Sequence, residues 1–389
     1  AMDLDSLGNE QVAYRVDEGE SAFTTLRLSR NLAGRDEGRV NPTPTWSFPR
    51  CDDCYDNGPS MLTSISSSAD FNADGLSDLV ISEPGYGQDN YSEIGMVKVY
   101  LGNQTGPGSD ADVTLYGMIE GAQFGHGIAT GDFNGDGWDD LAIGAPGNGT
   151  GGSRQGKVEV YLGNFDGLGN STEWEIDGFG PSNETGWKMA NAGDVNGDGF
   201  EDLLVTSWGA QNVMEHYGRV DLFYGATDLF ADTPDWTRGG QTKQAHYGIS
   251  LAGTGDYNGD EFADFAIGAT ANLSDPISWS SVEIFKGGLT GPTNTPDHDI
   301  TPIEQGRLFG YSIAWAGDVN NDGYDDLLIG EPYNGALVYQ AGKVWLYQGS
   351  VDGIILDNPW SLSSTTPNEQ LGGFVASAGD INEDGYDDV

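Results

Sequence analysis

The strongest constraint on this chain is a recurrence. The stretch "GDFNGDGWDDL" from Gly131 returns as "ADFNADGLSDL" from Ala69, "GDVNGDGFEDL" from Gly193 and "GDYNGDEFADF" from Gly255. It returns again as "GDVNNDGYDDL" from Gly317 and "GDINEDGYDDV" from Gly379. The leading aspartates, Asp70, Asp132, Asp194, Asp256, Asp318 and Asp380, follow one another at intervals of 62 residues. Six copies in register mark a repeat architecture, in which each unit buries its apolar faces against its neighbours.

The surroundings repeat as well. After the first five loops come apolar runs, "DLVIS", "DLAIG", "DLLVT", "DFAIG" and "DLLIG". Further on come "GMVKVYLG", "GKVEVYLG", "GRVDLFYG", "SVEIFKG" and "GKVWLYQG". These are rich in β-branched and aromatic residues and alternate apolar with other positions, as strands do. A segment with a tryptophan at 174, 236 or 360, and another such as "FGYSIAWAG" that leads into the next loop, complete the unit. Each unit therefore reads as four short strands, A to D, with the acidic loop joining A to B and no helical period. The expected fold is all-β, a β-propeller of four-stranded antiparallel blades.

Three or four carboxylates within nine residues repel one another unless a cation sits among them. Side-chain oxygens fall at loop positions 1, 3, 5 and 9, and position 7 can add its main-chain carbonyl. In order of position these are Asp70, Asn72, Asp74, Leu76 and Asp78 in loop 1, and Asp132, Asn134, Asp136, Trp138 and Asp140 in loop 2. Loop 3 has Asp194, Asn196, Asp198, Phe200 and Asp202, and loop 4 has Asp256, Asn258, Asp260, Phe262 and Asp264. Loop 5 has Asp318, Asn320, Asp322, Tyr324 and Asp326, and loop 6 has Asp380, Asn382, Asp384, Tyr386 and Asp388. Hard oxygen ligands at this density suit Ca2+. Up to six structural calcium ions are expected. An EF-hand is excluded, because position 12 is Ile81, Ile143, Val205, Ile267 or Ile329 instead of a bidentate glutamate. The copies are unequal: Glu261 replaces the glycine of the sharp turn in loop 4, and Ala73 replaces glycine at position 4 of loop 1.

"QFGHGIATGDFNGDGWDDLAIGAPGNG" and "LFGYSIAWAGDVNNDGYDDLLIGEPYNG" resemble the FG-GAP repeats of integrin α-subunit propellers and their microbial relatives. The likeness runs over residues 61–389 and implies a calcium-bearing propeller with seven blades in the intact protein. It departs locally: "GAP" is Ser82-Glu83-Pro84, Ser207-Trp208-Gly209 and Gly268-Ala269-Thr270, and "FG" is Met61-Leu62 and Thr185-Gly186. The chain stops at Val389, where strand B of the sixth unit should begin, so the repeat region is expected to be C-terminally truncated. Residues 1–60 carry no acidic loop, but "QVAYRV", "FTTLRLS" and "TWSF" read as strands of a closing blade. If they complete the sixth unit, the alternative of six blades follows. The two cysteines, Cys51 and Cys54 in "RCDDCYD", are expected to form a local disulfide. Asp52 and Asp53 would raise a thiol pKa, against a redox role, and no other cysteine is present to complete a zinc site.

Charge narrows the partners. With 61 acidic residues against 16 Lys plus Arg, the net charge of −45 repels nucleic acid and anionic membranes. No apolar run is long enough to insert into a bilayer. The acidity exceeds what calcium requires, which fits either a saline habitat or simple solubility. Catalysis has little to work with. His126, His216, His246 and His298 fall at unrelated repeat positions, and no hydrolase, zincin or phosphate-loop motif occurs. The expectation is a non-enzymatic, extracellular or cell-surface adhesion module that recognises a protein or glycan at a cell surface or in the extracellular matrix. The alternative is an accessory or spacer propeller of a larger secreted enzyme or surface protein. Ligand contacts are expected on the B–C and D–A loops opposite the acidic ones, where Tyr86, Tyr91, Trp208, Tyr217, Trp279, Tyr333 and Tyr339 lie.

Overall fold

A computed structural model describes residues 65–389 apart from 89–90, 105, 150–152, 210–216, 242–245, 271–279, 303–307, 335–339 and 383. Before residue 65 it describes three strands, β1 (Val12–Glu18), β2 (Thr24–Arg30) and β3 (Trp46–Phe48), paired antiparallel in that order. The two cysteines, Trp279 and Tyr339 lie outside the described residues.

No helix occurs among the described residues, and none of their segments is a helix that could cross a membrane. Five antiparallel sheets of four strands follow one another. The first comprises β4 (Ile65–Ala69), β5 (Asp78–Glu83), β6 (Met96–Tyr100) and β7 (Val113–Tyr116). The second comprises β8 (Ile128–Gly131), β9 (Asp140–Gly144) and β10 (Lys157–Tyr161); then, after a small hairpin of β11 (Gly163–Asn164) and β12 (Gly167–Leu168), β13 (Trp174–Asp177). The third holds β14 (Thr185–Gly193), β15 (Asp202–Ser207), β16 (Arg219–Phe223) and β17 (Trp236–Gly239). The fourth holds β18 (Ser250–Gly255), β19 (Asp264–Ala269), β20 (Ser281–Phe285) and β21 (His298–Ile300). The fifth holds β22 (Ser312–Gly317), β23 (Asp326–Glu331), β24 (Lys343–Tyr347) and β25 (Trp360–Ser363). Each sheet keeps its strands in chain order, so the acidic loop always joins strand A to strand B.

Hydrophobic burial explains why the sheets stack. Strand B is buried along its whole length in all five sheets, so it reads as a continuous apolar run and not as an alternation. The cores lie between sheets. One cluster joins Val80, Val97 and Val99 of the first sheet to Leu141 and Ile143 of the second, and another joins Val158 and Val160 to Leu203 and Val205. The same pattern links the third sheet to the fourth and the fourth to the fifth. Strand D supplies a tryptophan plug: Trp174 packs edge-on against Phe223 and Phe230, and Trp236 against Phe265 and Phe285. Each fully buried apolar side chain contributes about 1.5–3 kcal/mol. The first strands of successive sheets also touch one another, β4 on β8, β8 on β14, β14 on β18 and β18 on β22. These are blades stacked around their A strands, the arrangement of a β-propeller.

Candidate metal-binding loops and the opposite face

The first four acidic loops are pinned at both ends, and the fifth at its ninth residue. The second residue is an anchor: Phe71, Phe133, Val195 and Tyr257 are fully buried in the inter-blade cores. The ninth is a buried aspartate whose Oδ1 accepts a hydrogen bond from the glycine that ends strand C. Gly102, Gly163, Gly225, Gly287 and Gly349 donate in turn to Asp78, Asp140, Asp202, Asp264 and Asp326. Only glycine fits there: a Cβ on Gly163 would lie 2.2 Å from the Asp139 carbonyl oxygen, and one on Gly287 would lie 2.4 Å from that of Ala263.

Between these pins the side chains fold back on the loop's own backbone. In loop 2, Asp132 accepts from the amides of Asp136 and Gly137 at 3.1 and 2.9 Å, and Asp136 accepts from Trp138 at 3.0 Å. The same pattern recurs at the other five loops, from Asp70 (3.0 and 2.8 Å) to Asp380 (3.0 and 2.8 Å). The position-3 asparagines of loops 1 to 3 bond the position-5 aspartate. Among the described residues no three His, Cys, Asp or Glu side chains already converge at metal-binding geometry. The predicted oxygens therefore share one loop end, while their approach to a common centre is not drawn in.

The donor set nonetheless suits a hard cation. Asp140 Oδ2, Asp326 Oδ2 and Asn320 Oδ1 are buried with no hydrogen-bond partner. A buried acceptor left this way costs about 1–3 kcal/mol, more when charged. Burial pushes the Asp140 carboxyl up to about 8 against the pull of the Gly163 amide, and Asp136 and Asp132 add to the rise. Asp202 and Asp264 are pushed up to about 8 and Asp78 to about 7, with burial again the largest cause. A divalent ion among these oxygens would supply the missing partner and favour the ionised form.

One set of acids that the sequence reading left without a role ties the blades together. The position-8 carboxylate reaches across to the preceding loop and accepts from its first amide. Asp139 takes Asp70 N at 2.7 Å, Glu201 takes Asp132 N at 2.8 Å, Asp325 takes Asp256 N at 2.8 Å and Asp387 takes Asp318 N at 2.8 Å. At three of these junctions, those of Asp139, Asp325 and Asp387, the position-8 amide donates back to the position-1 carbonyl. These are staples between blades. Loop 4 has Ala263 there, so the junction between loops 3 and 4 keeps only the backbone bond to Asp194. The sequence signal was present, an acid at position 8 in four of six copies.

At the far end of the blades, four rings from three neighbouring units stack in a row. His126 and Trp187 have centroids 4.1 Å apart, Trp187 and Trp208 4.8 Å, and Trp208 and His246 4.5 Å. His126 Nδ1 lies 2.8 Å from the Trp187 carbonyl oxygen. Burial pulls His126 down to about 4 against that carbonyl, with Lys188 and Arg154 adding. Lys188 itself is half-buried, has no carboxylate or acceptor partner among the described residues, and is pulled down by burial. Of the aromatics predicted as ligand contacts, Trp208 belongs to this stack. Tyr86 packs on Tyr116 at 5.7 Å and Tyr91 is 56% exposed; Tyr217, in the same unit as Trp208, and Tyr333, in the fifth, are half-buried. Trp187, His126, His246 and Lys188 were not singled out from sequence.

The FG-GAP repeat family model matches residues 62–100, 124–161 and 309–347. The stretches it leaves out include the third and fourth copies, where the flanking "GAP" departs most. The chain is 36% identical over 248 residues to the phosphatidylinositol-glycan-specific phospholipase D of Mus musculus, covering 59% of this chain and 29% of that protein. It is 31% identical over 237 residues to integrin alpha-PS2 of Drosophila melanogaster, 58% of this chain and 16% of that protein. With integrin alpha-V of Gallus gallus it shares 27% over 213 residues, 52% of this chain and 19% of that protein. The chain thus spans less than a third of each of these relatives, one of which is named as an enzyme. Repeat register, blade topology and these matches agree that the chain carries FG-GAP repeats and has the four-stranded blade architecture of a β-propeller.

Proposed function

We propose that this chain is a calcium-stabilised extracellular binding module that recognises a protein or glycan through the face opposite the acidic loops. The observation that carries the recognition half is the His126–Trp187–Trp208–His246 stack with Lys188 beside it. No described residue accepts a hydrogen bond from either indole N–H, and in a chain of net charge −45 an unpaired ammonium is a feature to explain. Tryptophan rings with an unbonded indole N–H are what binding sites for proteins and sugars use.

Calcium would be held by positions 1, 3, 5 and 9 of the loops, with the position-7 carbonyl. Its role is electrostatic: it offsets the mutual repulsion of the carboxylates and ties strand A to strand B, adding to stability because the unfolded chain cannot bind it. No catalytic step is assigned to these blades. A second reading, an accessory or spacer propeller within a larger secreted protein, is favoured by the likeness to a named phospholipase D of which the chain covers 29%.

The test is a binding screen against immobilised glycans and extracellular-matrix proteins in calcium buffer. A ligand whose binding falls about tenfold or more on Trp208→Ala, the loss expected of a central anchor, with melting unchanged, supports the module reading. No ligand, or one indifferent to both Trp208→Ala and Lys188→Ala, favours the spacer.

A further inference from the structure

Loop 4 is built differently from its siblings, and the difference is a lysine. The residue before the glycine that closes strand C is Leu101, Leu162, Tyr224, Lys286 and Gln348 in the five sheets. Only the fourth carries charge. Its ammonium Nζ lies 2.8 Å from Asp260 Oδ2 and 3.3 Å from Asn258 Oδ1, two of the oxygens that loop 4 would offer a metal. Asn258 Nδ2 donates to Asp264 Oδ2 at 2.8 Å, as Asn382 of loop 6 does to Asp388 Oδ2 at 3.2 Å, whereas Asn72, Asn134 and Asn196 donate to the position-5 aspartate. This gives Asp264 Oδ2 a side-chain partner, where Asp78 and Asp202 Oδ2 accept the position-2 amide and Asp140 and Asp326 Oδ2 have none. The turn glycine is also gone: Glu261 sits at φ +70°, a conformation that favours glycine.

We infer that loop 4 holds no calcium, because the Lys286 ammonium occupies the cation position of the loop as a built-in counter-ion. This rests on the reading that the other loops do hold calcium. A lysine brings one charge and three donors, enough to bridge Asp260 and Asn258 but too few charges to hold the loop as a divalent ion would. Fixed charges between the third and fourth blades make up the difference. Arg238 donates through Nε and Nη2 to Glu283 at 2.6 and 2.7 Å, and Tyr247 donates to the same carboxylate at 2.7 Å. Such bidentate, charge-assisted bonds are the strong ones. Blade 4 would thus stay ordered when calcium is withdrawn and would act as the metal-independent part of the array.

The test counts calcium bound per chain by equilibrium dialysis on the full chain, for wild type and three variants. Asp260→Asn should leave the count unchanged and Asp136→Asn should lower it by one. Lys286→Leu, which copies the residue found in blades 1 and 2, should raise it by one. A count that falls by one in Asp260→Asn overturns the inference, as does a Lys286→Leu protein that melts cooperatively yet gains nothing. If Lys286→Leu does not fold, Asp260→Asn decides alone. A wild type that binds no calcium would instead overturn the calcium reading itself, and this inference with it; a loss in Asp136→Asn shows that reading standing whatever Lys286 does.

Discussion

Loops 2 and 4 share a sequence pattern and a backbone course, yet they solve the same electrostatic problem in different ways. In loop 2, no described basic side chain pairs with Asp132, Asp136 or Asp140, and Asp140 Oδ2 is buried without a partner. In loop 4, Lys286 bonds Asp260 and Asn258, and Asn258 satisfies Asp264. Under the proposed reading, a carboxylate-rich turn is completed from outside by a metal or from inside by a side chain, and a residue remote from the turn in sequence decides which.

The sharpest break in this comparison should come from chelation followed by hydrogen exchange. With EDTA present, amides of loop 2 that donate to Asp132 and Asp136 are expected to lose protection by two orders of magnitude or more, on the order of 3 kcal/mol of local stability. Those of Glu261 and Phe262 in loop 4 are expected to change little. Equal deprotection of both loops would erase the distinction.

Removing the buried position-9 carboxylate comes next. Asp140→Ala and Asp264→Ala should each cost about 3 kcal/mol, since each strands the strand-C glycine amide. Urea titrations with and without calcium should separate them. The loss at Asp140 should shrink in EDTA, where the metal it helps to hold is already gone, and the loss at Asp264 should be the same in both.

Smaller still is the glycine control. Gly163→Ala and Gly287→Ala put a methyl against a carbonyl in both blades, at 2.2 and 2.4 Å, so each should cost roughly 2 kcal/mol irrespective of calcium. The smallest effect concerns the staple between blades. Glu201→Ala leaves the Asp132 amide without its acceptor and should cost about 1–2 kcal/mol. A much larger loss would make the position-8 acids, not the metal, the main tie between loops.

Much of this was legible before folding. The 62-residue register located five of the A–B loops between the strands that now flank them, and the apolar runs that follow are the buried B strands. Periodicity reveals what every unit does in common, so the exceptions escaped it. Lys286 lies 22 residues beyond Asp264, and only strand pairing between β19 and β20 returns it to the loop. The position-8 acids were given no role, because their partner is an amide 69 residues earlier, on another blade. His126, Trp187, Trp208 and His246 hold unrelated repeat positions and meet because neighbouring blades pack face to face. A bulge in β14, where pairing shifts between Thr185 and Met189, displaces Trp187 from the register of its counterparts.

The measurement that bears most directly on this account is thermal unfolding of the chain with calcium, after EDTA, and after calcium or magnesium is returned, with elemental analysis of each sample. The account predicts a fall in melting temperature of roughly 10 °C or more on chelation, as expected when several sites each add binding free energy to the folded state. Calcium should restore it and magnesium should not. An unchanged melting curve in a sample shown to be metal-free would contradict it, because the acidic loops would then be self-sufficient turns.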